Sequence, residues 1–132
     1  MLEEEKLARD VYIALFDAWG LQVFDNIIDS EQQHYDAMLD QADRLGLDVS
    51  YLPTATGAFY DPELQALYDR LTAEGLASEQ AAIDVGIYIE EKDLVDIAEA
   101  ADNTDDEALD RTYANLLAGS ENHLAAFLRQ AD

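Results

Sequence analysis

Ser30-Glu31-Gln32-Gln33-His34 decides how the rest of the chain is read. It sets a carboxylate and an imidazole three residues apart inside a run of helical apolar spacing, and residues three apart share one helix face. Taken alone, a helical Glu-x-x-His describes an ordinary helix surface as well as it describes a metal site. The two differ in what the other helices turn toward it.

Before the motif, residues 2 to about 19 carry an apolar stripe that includes Leu2, Leu7, Val11, Tyr12, Leu15, Phe16 and Trp19, which predicts a first helix stopped by Gly20. The motif's own helix is expected to be capped by Asp25 or Asn26 and to run through Ile27, Ile28, Met38 and Leu45 to Gly46. The short link makes these two antiparallel neighbours. From Leu47 to about Asp61 the period fails, and Pro53, Thr54, Thr56 and Gly57 mark a loop. Asp61-Pro62-Glu63 starts a short helix with a cap and a first-turn proline, ending at Gly75. Ser78 opens a third long helix through Ile83, Ile87, Glu90, Leu94 and Ile97 to about Ala101. Asp105 or Asp106 caps a fourth, which reaches about residue 130 and carries Gly119 inside it at some cost in propensity. The expectation is an all-α chain forming one domain over residues 1–132: four long helices, with a crossover that carries a short extra helix.

A packed helix shows its inward seam at alternating steps of three and four residues. That rule collects Glu5, Ala8, Tyr12, Leu15 and Trp19 on the first long helix and Ile27, Glu31, His34 and Met38 on the second. It collects Ile83, Ile87, Glu90, Leu94 and Ile97 on the third, and Tyr113, Leu116, Ser120, His123 and Phe127 on the fourth. Each seam is apolar except for a carboxylate, an imidazole or both, so Glu5, Glu31, His34, Glu90 and His123 are the candidate metal ligands. Buried ionised carboxylates cost several kcal/mol each unless opposite charge is supplied. Apart from Lys92, no lysine or arginine is placed to supply it. Carboxylate with imidazole is a ligand set that suits iron, manganese or zinc. The plainer readings are that Glu5 and Glu90 are solvated in an acidic chain, and that the histidines are core residues bonded to neighbouring carboxylates.

The charge bounds the partners. With 30 acidic residues against seven basic ones the formal net charge is −23, which repels nucleic acid and anionic lipid. Such a surface fits either high ionic strength, where a screening length of about 3 Å at 1 M salt relieves the self-repulsion, or the gathering of cations. Cysteine is absent, which excludes disulfides and thiolate sites. No apolar run suits a membrane span, and the acidic start differs from a signal peptide, so a cytoplasmic protein or a processed exported form is expected.

Four ordered motifs carry a resemblance: Glu4 to Tyr12, Ser30 to His34, Ile89 to Leu94, and Asn115 to Leu124. Together they resemble the DUF2202 proteins of the ferritin-like superfamily, over nearly the whole chain. The resemblance implies a ferritin-like four-helix bundle with a long crossover between the second and third long helices. The superfamily's first-helix pattern, Glu with Ala three and Tyr seven residues later, matches Glu5, Ala8 and Tyr12. The sequence departs from the di-iron pattern once: Ser120 stands three residues before His123, where a second Glu-x-x-His is usual, and Glu121 lies about 100° further round the helix. Asp93, three residues after Glu90, is the candidate substitute, with Glu91, Glu121 and Tyr12 as additional candidates. One or two ions are therefore open. The expected function is iron binding, with Fe(II) oxidation or oxygen and peroxide chemistry. The alternative is an assembly module, self-associating, with a structural metal or none.

Overall fold

The computed structural model describes residues 1–131. Five helices make up the fold: α1 (Leu2–Trp19), α2 (Gln22–Arg44), α3 (Pro62–Gly75), α4 (Glu79–Asp102) and α5 (Glu107–Gln130). There is no strand among the described residues, and no helix is long and apolar enough to cross a membrane.

The helix boundaries follow from local chemistry. Gly20 takes the left-handed conformation (φ 66°) that ends α1, and its N–H bonds to the Phe16 carbonyl. Asp61, Ser78 and Asp106 each accept a first-turn backbone N–H at the starts of α3, α4 and α5, as their residue types predict. The start of α2 corrects the sequence reading. It begins at Gln22, one turn before the expected Asp25 or Asn26 cap, with Leu21 at the cap position and no side-chain cap bond. The turn at Gly20 already reverses the chain, so Leu21 can offer its carbonyl to Phe24 N–H, and Asp25 serves as a first-turn acid on the helix dipole.

Helix α1 packs on α2, α4 on α5, α2 on α5 and α1 on α4, while α3 lies against α1 and α4. Because α4 meets three partners, its buried face is wider than a two-in-seven seam. It buries Val85, Gly86, Ile89 and Asp93 as well as Ile83, Glu90 and Ile97, and leaves Ile87 and Leu94 only half-buried.

The core divides into two apolar clusters. One holds Leu7, Val11, Tyr12, Leu15, Phe24, Ile27, Ile89 and Phe127; the other holds Met38, Ile97, Tyr113 and Leu116. Each fully buried Phe or Leu contributes about 1.5–3 kcal/mol. Along α2, α4 and α5 the polar residues fall between the two clusters: Glu31 and His34 between Ile27 and Met38, Glu90 and Asp93 between Ile89 and Ile97, Ser120 and His123 between Leu116 and Phe127. A polar layer is thus held between apolar ones.

The crossover, residues 45–61, is tied to α1. Lys6 Nζ donates to Asp10 Oδ2 at 2.8 Å and to the Ala55 and Ala58 carbonyls at 2.7 Å each, and Asp10 Oδ2 also accepts Gly57 N–H. Glu3 accepts the N–H groups of Tyr60 and Asp61.

Candidate metal centre

Four helices supply the polar layer. Glu5 comes from α1, Glu31 and His34 from α2, Glu90 and Asp93 from α4, and Ser120 and His123 from α5. Glu5, Glu31 and Glu90 are fully buried (0% exposed), although each is a carboxylate. All five residues of the expected ligand set come together, in two groups that share Glu31: Glu5, Glu31 and His34, then Glu31, Glu90 and His123. Within each group the ligand atoms lie within 4.8 Å of one another.

The two groups differ in their bonding. His123 Nδ1 lies 2.9 Å from Glu31 Oε1 and 3.1 Å from Glu90 Oε1, its Nε2 lies 2.9 Å from Ser30 Oγ, and Tyr12 donates its hydroxyl to Glu90 Oε2 at 3.1 Å. On the other side, His34 Nδ1 stands 3.5 Å from Glu5 Oε2 and 3.6 Å from Glu31 Oε2, which are ion-pair separations too long for good hydrogen bonds. Both oxygens of Glu5, Glu31 Oε2, His34 Nδ1, Asp93 Oδ2 and Ser120 Oγ are buried without a hydrogen-bond partner. Such groups are rare in folded proteins, and each needs an explanation such as a water, an ion or a catalytic role.

No lysine or arginine answers them. Lys6 is buried but faces Asp10, and Lys92, the one cation expected to be near, pairs with Asp96 and Glu4. Protons do the neutralising instead. Burial, reinforced by the charge of Glu31, raises Glu5 to about 8, and burial with the same charge raises Glu90 to about 7. Burial would also raise Glu31, but hydrogen bonding with His123, followed by the pull of His34, outweighs it and holds that carboxylate at about 2. Burial opposes a charged imidazole, yet the flanking carboxylates raise His34 to about 10 and His123 to about 9. Asp93 is pushed well above the ordinary range by burial and then by Glu5 and Glu90.

The additional candidates separate cleanly. Asp93 is 3% exposed and one turn from Glu90 on the same face. Tyr12 is fully buried against Phe24 and Phe127, so it is both a core aromatic and the hydrogen-bond donor to Glu90. Glu91 and Glu121 are exposed, because each follows an inward residue by one position and so points about 100° away from it.

Two contributors lie outside the seam rule. Ser30 stands in the motif only as the residue before Glu31, and its contact with His123 is made across 93 positions of sequence. Gly119 counted only as a weak helix former, yet a Cβ built on it would stand 2.5 Å from His34 Cε1 and 2.6 Å from Nε2.

The chain is 41% identical over 129 residues to the uncharacterized protein MJ0754 of Methanocaldococcus jannaschii, covering 98% of this chain and 70% of that protein. It also matches the crystal structure titled hypothetical protein MJ0754, with a TM-score of 0.96 over 98% of this chain and 74% of that one. The whole chain, residues 1–132, matches the family described as "Uncharacterized protein domain (DUF2202)". With all of its length matched and a relative this similar, the chain belongs to the DUF2202 family.

Proposed function

We propose that the chain is a non-haem metal protein of ferritin-like architecture, one domain over residues 1–132, holding iron as an unequal pair of ions that share Glu31. The observation that carries this reading is the set of buried atoms without hydrogen bonds on Glu5, Glu31 and His34, with no lysine or arginine directed at them. Glu5, Glu31 and His34 hold one ion and Glu31, Glu90 and His123 the other, with Asp93 as the added carboxylate that answers the serine at position 120. The closed circuit of contacts α1–α2–α5–α4 supports the four-helix reading, with α3 standing outside it.

Oxygen and imidazole donors without thiolate fit iron, and manganese or zinc can take the same positions. When bound, iron supplies redox chemistry toward Fe(II), dioxygen or peroxide. The chain's own part is to hold the carboxylates apart from water between two apolar layers and to fix Glu90 through the Tyr12 hydroxyl. The acidic surface favours cation entry and disfavours nucleic acid.

The test is metal content after purification without a metal-binding tag and after iron loading. Bound iron is expected in the wild type and its loss in a Glu31→Ala/His34→Ala variant. A wild type that stays metal-free, or a variant that binds as much, overturns the reading. Oxygen or peroxide consumption by the loaded protein then separates a redox role from a structural one.

A further inference from the structure

We infer that Gly119 is a positioning residue for the Glu5, Glu31 and His34 triad: the space left by its missing side chain is where the His34 ring lies. The inference deepens the proposed metal reading and rests on it for its functional consequence. A Cβ at position 119 would approach His34 Cε1 to 2.5 Å and Nε2 to 2.6 Å, below any ordinary contact, while Nδ1, the atom facing the carboxylates, would be 3.8 Å away. Gly119 therefore touches the back of the ring and leaves the ligating edge free.

Glycine in the middle of a 24-residue helix is otherwise a cost, since alanine is the better helix former. Its left-handed freedom is not in use there, because positive φ among the glycines is confined to Gly20, Gly46 and Gly57. Space is what remains to explain it. The ring has little choice of another buried position: His123 stacks on it at 5.6 Å between centroids, and Glu5 and Glu31 lie on its Nδ1 side. Its side chain is 12% exposed, so the direction left open is outward, away from both carboxylates. A methyl group at 119 would push it that way. The fold can accept this movement, since the clash is with the end of a flexible side chain; the triad geometry cannot.

The experiment compares the wild type with Gly119→Ala, His34→Ala and the double variant, reading iron or manganese titrations and melting temperature of the metal-free protein. In Gly119→Ala, binding at the Glu5 triad is expected to weaken about 10- to 100-fold, the range seen when a ligand's support is removed. The ion held with His123 is retained, and the metal-free melting temperature falls, because the displaced ring leaves Glu5 and Glu31 without their nearest imidazole. In the His34→Ala background, Gly119→Ala is expected to cause no further loss of metal. Wild-type binding by Gly119→Ala, or a further loss in the double variant, overturns the inference. Should Gly119→Ala fail to fold, a folded double variant supports the clash with His34, and an unfolded one overturns it. A wild type that binds no metal removes the proposed function but leaves the pairing of Gly119 with His34 readable from the melting temperatures, which Gly119→Ala should lower with His34 present and not in the His34→Ala background.

Discussion

Glu5 and Lys6 leave α1 one residue apart, about 100° round its axis, and enter two buried polar clusters of opposite design. Lys6 is 1% exposed, and its ammonium donates to the Asp10 carboxylate and to two backbone carbonyls besides. Asp10 in turn accepts from Arg9, Lys6 and Gly57. That cluster finds all its partners within the chain and fastens the crossover. Glu5 is 0% exposed, neither of its oxygens has a hydrogen-bond partner, and the nearest imidazole nitrogen is 3.5 Å away. One helix therefore shows two ways of burying charge: with hydrogen-bonded partners built into the chain, and with carboxylate oxygens that no hydrogen bond satisfies.

The largest expected effect tests whether the internally partnered cluster is purely structural. Asp10→Ala leaves a buried ammonium without its counter-charge, and breaking a buried pair from one side costs about 3–5 kcal/mol. Denaturant unfolding of the metal-free protein should show that loss, while iron bound per folded chain stays at the wild-type value. If metal binding falls in step with stability, the two clusters are not independent and the contrast between the two faces of α1 fails. Glu31→Gln is the counterpart on the other face. Its carboxylate belongs to both triads, so iron affinity should fall at least about 100-fold at both positions, a loss of about 2.8 kcal/mol for each ion. Retention of either ion at wild-type affinity would show that Glu31 is not shared.

The contrast was only half legible in the sequence. Glu5, Glu31, His34, Glu90 and His123 could be found because helical period fixes which residues share a face, and that depends on local geometry alone. The crossover and three of the helix starts were legible for the same reason, through proline, glycine and capping residues. The role of Lys6 has no signal in the sequence, because its partners at Ala55 and Ala58 are backbone carbonyls of a loop with no period to read. Gly119 was seen as a propensity defect, since nothing in the residues around it reports that His34 of another helix fills the gap. The early start of α2 was hidden because a backbone carbonyl, which every residue has, does the capping.

Protons standing in for a cation give a pH dependence of opposite sign in the two states. His34 and His123 are held at about 10 and about 9 in the folded chain against an ordinary 6.5, so their stabilisation is complete below pH 6.5 and is lost as pH rises through those values. Glu5 acts in the same sense: folded, it keeps until about pH 8 a proton that the unfolded chain releases near 4.5. The metal-free melting temperature should therefore fall as pH is raised from 6 toward 10. Ligation needs neutral imidazole and ionised carboxylate, so metal affinity should rise with pH over the same interval. Calorimetric titration at pH 7 in two buffers of different ionisation heat should register about two or more protons released per loaded chain. Binding without proton release would break the argument that protons and metal compete for one place.

The smallest effect separates the two ions from one another. Ser30 Oγ is 2.9 Å from His123 Nε2, which leaves Nδ1 to face Glu31 and Glu90, whereas no hydrogen bond among the described residues holds the far side of the His34 ring, where Gly119 provides only space. A hydrogen bond to the second imidazole nitrogen fixes the ring and its tautomer, and losing such a partner typically weakens metal binding 10- to 100-fold. A serine hydroxyl is neutral and Ser30 is only half-buried, so Ser30→Ala belongs at the low end, about tenfold, and only for the ion held with His123. The metal-free protein should lose about 1 kcal/mol, the usual worth of one such bond. Titration of Ser30→Ala in a His34→Ala background isolates that ion and should show the full tenfold change. The same substitution in a His123→Ala background should show none. Equal weakening in both backgrounds would mean that Ser30 supports the polar layer as a whole, and that the two histidines are held by a common frame rather than by separate devices, a hydroxyl for one and a missing side chain for the other.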